Sequence, residues 1–362
     1  MSSIKVFSFF SGLGFLDLGF SNAGFDIALV SDINNAFLYA HQYSREHLNA
    51  SHPEYGYINS DVRDFLTQKK IDEAISKQKA NNLVGFIGGP PCPDFSFAGK
   101  NEGGSGSNGV LSQIYVELIN SKMPDFFVFE NVRGLVQTNK HRVFFDGLKQ
   151  SLREHGYRLF ESLENALNYN VPQYRDRLFL IGVNEERIKP NSNDFAFDNI
   201  NRGHLQDILN LPWPDTDNLM LNMARECPQG IRRDLTVEYW FRKNKVLEHA
   251  NSGDFFRPKE TTNKFHTVQE GNTHGKSFKR LHRWRFSPTA AYGNNEVHLH
   301  PYEARRISIA EALSIQSLPD NFILPDNIPL STKFKMVSNG VPYLMAYTIA
   351  RNLFVWLNNN CT

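Results

Sequence analysis

The first 185 residues alternate short apolar segments with amphipathic ones, and this alternation constrains the fold more than any other feature. Apolar runs of about four to eight residues favour buried strands, whereas apolar residues at helical spacing favour helices. Strands that alternate with helices form an α/β sheet with helices on both faces. The expected strands cover residues 5–10, 27–31, 84–88, 126–130 and 178–183, and the expected helices cover 15–23, 35–45, 112–121 and 142–155.

This pattern fades between about residues 191 and 295, where Asn, Pro, Trp and basic residues become frequent. We expect a second, smaller and irregular domain there. Helical spacing of apolar residues returns at 308–318 and at 342–357. The chain is therefore expected to hold two domains, which its length allows.

One cysteine follows an apolar strand through a rigid turn. Residues 84–87 have the composition of a central strand, and Pro90 and Pro91 after it fix φ and exclude a helix. Cys92 is therefore expected at the carboxyl end of a strand, where open α/β sheets bind their ligands. A thiol held there is a candidate nucleophile, although a lone cysteine is more often a buried structural residue.

The chain has three cysteines, Cys92, Cys227 and Cys361, and no Cys-x-x-Cys pair. An odd number without a close pair argues against a disulfide framework and against a zinc site, and it favours a reducing compartment. No run reaches the roughly 18 apolar residues that a membrane helix needs, and nothing resembles a signal peptide. We expect a cytoplasmic protein that binds no metal and no membrane.

Positive charge is concentrated in one segment, although the net charge of the chain is only +1. Residues 228–306 contain 15 Lys plus Arg and 8 Asp plus Glu, a net charge of +7, which leaves −6 for the remainder. A basic segment beside an acidic remainder is typical of a module that contacts nucleic-acid phosphates. A solvated surface with scattered positive charge is the alternative.

Three positions near the amino terminus together suggest a pocket for a nucleoside. Residues 10–14, Phe-Ser-Gly-Leu-Gly, follow the first strand, and glycines there let backbone N–H groups approach a ligand. The spacing is not that of the dinucleotide motif GxGxxG. Asp32 ends the second strand and could accept from ribose hydroxyls, and Asp61 could accept from an adenine amino group. Each acid alone is more often a surface or capping residue, so only the set is persuasive.

Carboxyl and guanidinium groups follow at two further strand ends. Glu130 comes directly after an apolar strand, and its carboxyl group, if protonated or hydrogen-bonded, could hold the N3 and amino edge of a pyrimidine. An N-cap for the next helix is the alternative. Arg175 and Arg177 lie two residues apart at the start of a strand and so share a face, which suits phosphate or base carbonyl contacts. An exposed charged strand edge would give the same pattern.

Six blocks of this sequence resemble, in the same order, the motifs of the cytosine-5 DNA methyltransferases, and they span nearly the whole chain. The blocks are Phe10-Ser11-Gly12-Leu13-Gly14, Gly89-Pro90-Pro91-Cys92, Glu130-Asn131-Val132, Gln173-Tyr174-Arg175-Asp176-Arg177, Arg305-Arg306-Ile307-Ser308-Ile309-Ala310-Glu311 and Ser338-Asn339-Gly340-Val341-Pro342. The resemblance implies a Rossmann-like, S-adenosylmethionine-dependent methyltransferase sheet. It assigns residues 1–186 and 332–362 to a catalytic and cofactor-binding domain, and 187–331 to a target-recognition domain.

The resemblance also implies a mechanism. The Cys92 thiolate would attack C6 of a cytosine flipped out of double-stranded DNA, while Glu130 holds N3 and the exocyclic amine and Arg175 holds O2, with Arg177 beside them. C5 would then take a methyl group from S-adenosylmethionine, and loss of the C5 proton would expel Cys92. The implied cofactor-binding residues are Phe10, Ser11, Gly12, Leu13, Gly14, Asp32, Ile33, Asp61, Val62, Gly89, Pro91, Leu111, Asn339 and Val341.

Four positions depart from the common pattern of the family. Pro93 stands where Gln is usual, Asp32 where Glu is usual, Ala310 where an Arg often precedes the Glu, and Ser338 where Gly precedes the Asn. None of them removes a group that makes or breaks a bond. The missing Gln puts some contacts of the catalytic loop with DNA in doubt.

The basic segment lies where this family reads its target, so it is expected to bind double-stranded DNA. A solvated surface residue is the alternative at each position. The candidate DNA-binding residues are Ser96, Arg232, Arg233, Thr236, His266, Thr267, Lys276, Lys279, Arg280, Arg283 and Arg285.

Three other functions are weighed against DNA methylation. A tRNA cytosine-5 methyltransferase would share the catalytic blocks, but the large basic insert favours DNA. A catalytically dead homologue should have lost Cys92, Glu130 or Arg175, and all three are present. A nicotinamide dehydrogenase fails on the glycine spacing. We expect a monomeric, nucleoid-associated enzyme that protects host DNA from a cognate restriction endonuclease.

Overall fold

The computed structural model describes residues 3–91, 107–189, 194–197, 203–257, 263–275, 277–292 and 297–360. The strands are β1 Ile4–Phe9, β2 Asp26–Asp32, β3 Tyr57–Asn59, β4 Leu83–Gly88, β5 Phe126–Val132, β6 Tyr157–Asn165, β7 Asp176–Asn184, β8 Phe278–Arg280 and β9 Val297–Leu299. The helices are α1 Phe15–Ala23, α2 Asn35–His47, α3 Lys69–Lys79, α4 Ser107–Lys122, α5 Asn139–Glu154, α6 Leu205–Leu209, α7 Val237–Lys243, α8 Lys264–Thr267, α9 Ile309–Ile315, α10 Leu330–Asn339 and α11 Tyr343–Asn360.

Seven strands form one sheet in the order β3-β2-β1-β4-β5-β7-β6. The pairs from β3 through to β5 are parallel, and β7 is antiparallel to both β5 and β6. The chain builds outward from β1 in one direction and then returns to build from β4 in the other. The expected α/β fold is confirmed, and the reversal between β1 and β4 is the position at which such sheets bind ligands.

The central strands of the sheet are continuous apolar runs because both of their faces are buried. In β5, Phe126, Phe127, Val128 and Phe129 are all completely buried. Successive side chains point to opposite faces, so Phe126 and Val128 join the core beneath α1 and α11, while Phe127 and Phe129 join the core beneath α4 and α5. A strand that is covered on both faces needs no polar side.

The described residues between β7 and α9 contain little regular structure, as the composition of residues 191–295 predicts. Its described elements are short, and the small parallel sheet β8-β9 packs around Phe265, Val297 and Leu299. The helices of the described residues include none that is both long enough and apolar enough to cross a membrane.

Helix α1 packs closely along α11, and Gly19 makes this approach possible. A Cβ added at Gly19 would lie 2.7 Å from both the Cβ of Ala346 and the backbone nitrogen of Tyr347. Because backbone atoms cannot move aside cheaply, a larger residue would push the two helices apart.

We predict that Gly19→Ala lowers the free energy of unfolding by about 1–3 kcal/mol, because it overpacks the contact between α1 and α11. The matched control is Gly147→Ala in α5, where an added Cβ meets nothing within 4 Å. That change should raise the stability by about 0.5–1 kcal/mol, since alanine is the better helix former. Urea denaturation measures both, and equal effects of the two variants would contradict the packing argument.

Candidate active site

The ends of β4 and β5 lie side by side at the carboxyl edge of the sheet. Gly88 pairs with Phe129, so the residues after each meet next to one another. The amide of Asn131 donates to the carbonyl of Pro90 at 3.3 Å. A Cβ added at Gly89 would lie 2.5 Å from Oε2 of Glu130. The turn that leads to the candidate nucleophile is thus fixed against the residue that is expected to hold the base.

Glu130 and Arg177 form a buried ion pair at this edge. Nε of Arg177 lies 2.8 Å from Oε1 of Glu130, and each residue is 8% exposed. Burial raises the pKa of Glu130, while the positive charges of Arg177 and Arg175 act in the opposite direction. A carboxyl group with a raised pKa can hold a proton for a ring nitrogen and still accept from an amino group.

Arg175 is arranged differently from the expectation that its guanidinium group holds the base carbonyl. It is 1% exposed and donates to the backbone carbonyls of Ala290 at 3.0 Å, Ser338 at 2.7 Å and Gly340 at 3.1 Å. These bonds engage both terminal nitrogens of Arg175. Arg177, which contacts Glu130 directly, is therefore a second candidate for the contact with O2, and the role of Arg175 on O2 stays a prediction.

Three predicted site residues, Cys92, Ser96 and Lys276, lie outside the residues that the structure describes. Pro91, the last described residue before Cys92, is exposed and lines a cavity.

This cavity, of about 130 Å³, lies across the reversal point between β1 and β4. Residues from several strand ends form its wall, which is largely apolar apart from two carboxylates and a guanidinium group. The lining residues are Phe9, Phe10, Ser31, Asp32, Ile33, Ser60, Asp61, Val62, Arg63, Pro91 and Leu111. Sequence reasoning missed Phe9, Ser31, Ser60 and Arg63, although all four adjoin predicted residues.

The two carboxylates of the cavity are held in fixed orientations. Asp32 accepts from the backbone N–H of Gly12 at 2.9 Å and of Asn34 at 2.8 Å, one bond to each oxygen. Asp61 accepts from the backbone and side chain of Arg63, and these bonds hold the pKa of its carboxyl group below the usual value. Each carboxylate keeps acceptor capacity for a ligand.

The segment of residues 10–14, here called the glycine loop, joins β1 to α1 in an unusual conformation. Phe10, Gly12 and Gly14 have φ angles of 52°, 55° and 81°, in the left-handed region. Leu13 is buried in the core, Ser11 is partly buried, and neither is among the residues that line the cavity. These residues turn the chain sharply from β1 into α1, and the N–H groups of Gly12 and Gly14 donate to Asp32 and to the carbonyl of Ser11.

The remaining predicted cofactor residues, Asn339 and Val341, flank Gly340 at the end of α10. Asn339 is exposed and Val341 is buried, and neither lines the cavity. A Cβ added at Gly340 would lie 2.1 Å from the ring of Phe15. This contact holds the end of α10 against the start of α1, beside the glycine loop.

The chemistry of the cavity fits a nucleoside cofactor such as S-adenosylmethionine. Ile33 is an exposed apolar residue, 68% accessible, and it provides a flat surface for a base. Asp32 supplies acceptors for ribose hydroxyls and Asp61 for an amino group. The donor set therefore agrees with the cofactor that the sequence predicts.

Three of the predicted DNA-binding residues are engaged inside the protein. Arg280 is completely buried and donates only to backbone carbonyls, those of Phe265, Val268, His300 and Glu303. Arg283 is 2% exposed and forms a bidentate pair with the buried carboxylate of Glu270. Thr236 is buried and caps α7. The expectation that these three side chains contact DNA is corrected, because their polar groups stabilise the fold.

The other predicted DNA-binding residues reach the surface. Arg233, His266 and Thr267 are exposed, and Arg232, Lys279 and Arg285 are partly exposed. Lys279 and Arg285 line a cavity of about 490 Å³ that also includes Tyr174, the residue before Arg175. This cavity connects residues 187–331, below called the recognition segment, with the residues that lead into the strand that carries Arg177.

The fold and the site define a class of protein. A seven-stranded sheet of this order, with a nucleoside-type cavity beside a buried carboxyl–guanidinium pair, is the architecture of a Rossmann-like methyltransferase. Residues 4–355 match the family described as C-5 cytosine-specific DNA methylase, and the chain belongs to that family. It is a DNA (cytosine-5-)-methyltransferase, and the family implies S-adenosylmethionine as its methyl donor.

Individual relatives agree with the family match. The chain is 50% identical over 361 residues to the Type II methyltransferase M.NmeDI of Neisseria meningitidis serogroup C, covering 98% of this chain and 84% of that protein. It is 28% identical over 363 residues to the Type II methyltransferase M.FnuDI of Fusobacterium nucleatum, covering 97% and 94%. A crystal structure described as a DNA modification methyltransferase from an Escherichia coli prophage has a TM-score of 0.67 at 23% identity and covers 98% and 100%. At that identity the structural likeness concerns the fold alone.

We predict that Arg177→Met abolishes methylation and lowers the free energy of unfolding by about 3–5 kcal/mol, because it leaves the Glu130 carboxylate buried without its partner. The matched control is Arg133→Met. The Arg133 side chain is 52% exposed, and its Nη1 lies 3.1 Å from Oδ2 of Asp176. An exposed pair contributes at most about 1 kcal/mol, so this variant should stay active. Chemical denaturation and methyl-transfer assays measure the difference, and comparable losses in both variants would contradict it.

Proposed function

We propose that this enzyme methylates C5 of one cytosine within a specific double-stranded DNA sequence and thereby protects host DNA from a cognate restriction endonuclease. The observation that carries the proposal is the Glu130–Arg177 pair at the carboxyl edge of the sheet, next to the turn that leads into Cys92. The names of the related Type II methyltransferases support the protective role. The family match favours DNA over a tRNA substrate.

In the proposed reaction, Sγ of Cys92 bonds to C6 of a cytosine that has been flipped out of the duplex. The carboxyl group of Glu130 shares its proton with N3 and accepts from the exocyclic amine, which makes C6 more electrophilic. As the S–C6 bond forms, the C5=C6 π bond opens and its electron pair is placed on C5, ready to take the methyl group. Arg177 orients Glu130, and one of the two guanidinium groups, that of Arg175 or of Arg177, donates to O2. Arg175 positions β7 through its three carbonyl bonds.

S-adenosylmethionine supplies the electrophilic methyl group when it is bound. We propose that Asp32 holds its ribose, Asp61 its adenine amino group, and Ile33 and Leu111 the faces of the adenine. A base then removes the C5 proton, the C6–S bond breaks, and Cys92 leaves as a thiolate. Pro91 lies on the wall of the cofactor cavity directly before Cys92, so the methyl donor and the nucleophile can act on the same ring.

The division into domains also belongs to the proposal, with residues 1–186 and 332–362 for catalysis and 187–331 for target recognition. Within the recognition domain, Arg233, Lys279 and Arg285 are proposed to contact phosphates or bases, and His266 and Thr267 base edges. We propose that one monomer acts on one site in nucleoid DNA.

The test is expression in a bacterial host that has no cytosine methylation, followed by bisulfite sequencing. We predict C5 methylation at a single short motif, and none in cells that express Cys92→Ala. The matched control is Cys227→Ala, since Cys227 is a free cysteine away from the strand ends and should keep full activity. No methylation at any motif, with folded wild-type protein, would overturn the proposal, whereas activity in Cys92→Ala would exclude the nucleophile.

Replacing single arginines with uncharged residues distinguishes side chains that contact DNA at the surface from those that neutralise charges inside the protein. We predict that Arg233→Ala reduces the slope of log affinity for duplex DNA against log salt by about 0.9, the value for one lost phosphate contact. Arg283→Met should instead lower stability and leave the slope unchanged, because Arg283 neutralises the buried Glu270. DNA binding measured between low and moderate salt tests both variants. A slope reduced only in Arg283→Met would show that the surface assignment is wrong.

A further inference from the structure

Three polar side chains lie buried directly behind the glycine loop and have no part in the proposed chemistry. Asp17 in the first turn of α1 is 0% exposed, and His41 and Arg45 on α2 are 1% and 2% exposed. We call these three residues the rear cluster. Charged side chains are almost never buried this completely without a specific reason.

His41 is the member that contacts the loop. A Cβ added at Gly14 would lie 2.2 Å from Nε2 and 2.3 Å from Cδ2 of His41, so the imidazole ring fills the space behind Gly14. The opposite side of the ring meets Tyr57 of β3, with ring centroids 5.7 Å apart. His41 is thus wedged between the glycine loop and the edge of the sheet.

The bonding of His41 is unusual for a buried histidine. Neither ring nitrogen has a hydrogen-bond partner among the described residues, and Nε and Nη1 of Arg45 have none either. Burial and the nearby charge of Arg45 lower the pKa of His41 to about 3, so its ring is neutral under physiological conditions. Polar atoms left unpaired in a buried site are costly, and they persist where the arrangement serves a function.

Asp17 and Arg45 are the charged members of the rear cluster. Burial raises the pKa of Asp17 to about 6, and the Ser8 hydroxyl and the charge of Arg45 act against that rise. Arg45 is held in place by a bond of 2.7 Å from Nη2 to the carbonyl of Ser51. Arg45 therefore connects α2 with the segment after it, and its charge acts on Asp17 of α1.

The glycine loop needs such a support because its own conformation is unfavourable. Phe10, a residue with a bulky side chain, has a φ of 52°, and each residue held in such a conformation costs of order 1–3 kcal/mol. In addition, Gly14 at the N-cap of α1 provides no side-chain hydrogen bond to the helix. Strained segments keep their geometry only where the surrounding structure fixes them.

We propose that Asp17, His41 and Arg45 are positioning residues that hold the glycine loop in its left-handed conformation and thereby set the affinity of the enzyme for S-adenosylmethionine. The inference rests on the proposed function of the loop as part of the cofactor site. None of the three residues lines the cavity, so they act on the cofactor only through the loop.

The test measures the affinity for S-adenosylhomocysteine by calorimetry, well below the unfolding temperature. We expect His41→Ala to weaken binding about tenfold and to raise KM for S-adenosylmethionine similarly, with kcat and KM for DNA nearly unchanged. His41→Phe keeps a ring behind Gly14 and should recover most of the affinity. Asp17→Asn, which hardly changes volume, should weaken binding in the same direction and provides the test if His41→Ala does not fold.

The matched control is Ser44→Ala on the same helix. Ser44 is completely buried and donates to the carbonyls of Ala40 and Ile323, away from the glycine loop. This variant should lose stability without losing affinity. Equal loss of affinity in Ser44→Ala and His41→Ala, or unchanged affinity in His41→Ala, would overturn the proposal.

Amide hydrogen exchange distinguishes a failure of this proposal from a failure of the proposed function. The N–H groups of Gly12 and Gly14 donate to Asp32 and to the carbonyl of Ser11. In His41→Ala they should exchange several-fold faster than in the wild type, while amides in the centre of the sheet keep their rates. Failure of the wild type to bind S-adenosylhomocysteine would count against the proposed function. Unchanged exchange in His41→Ala would count against the rear cluster alone.

Discussion

The reversal of strand order between β1 and β4 is the constraint on which the rest of the structure depends. Parallel strands on either side of it end at the same edge of the sheet, so β1 and β2 deliver the glycine loop and Asp32, while β4 and β5 deliver the proline turn and Glu130. The cavity at Asp32 and the buried carboxyl group of Glu130 thereby become neighbours, although the sequence separates these two residues by about one hundred positions.

Much of this architecture could be predicted from the sequence because the strands are covered on both faces. The predicted helix 15–23 coincides with α1, and each of the five predicted strands lies within two residues of an observed one. The missed elements have weaker patterns. β6 is an edge strand whose exposed charges interrupt its alternation, and α3 is rich in Lys, with few apolar residues to mark its buried side. In both, tertiary packing decides the structure rather than local preference.

The sequence predicted which residues lie in the candidate site better than it predicted what each side chain contacts. Motifs located Glu130, Arg175 and Arg177, but a spacing of two cannot say which guanidinium group faces the carboxyl group and which is enclosed by backbone carbonyls. In the recognition segment, net charge could not distinguish surface cations from Arg280 and Arg283, since a buried arginine contributes the same formal charge as an exposed one. Partners distant in the sequence decide these cases.

The three carbonyl bonds of Arg175 have a consequence for how such an enzyme can change its target. The Arg175 side chain, directly before β7, donates to the carbonyl of Ala290, which lies between β8 and β9, and to the carbonyls of Ser338 and Gly340 at the end of α10. A transplanted recognition segment would therefore have to present a backbone carbonyl at the position of Ala290, or the guanidinium group would lose an acceptor deep inside the protein. An exchange of specificity between relatives must therefore preserve the contacts where the exchanged segment meets the rest of the protein, as well as supply the residues that contact the bases.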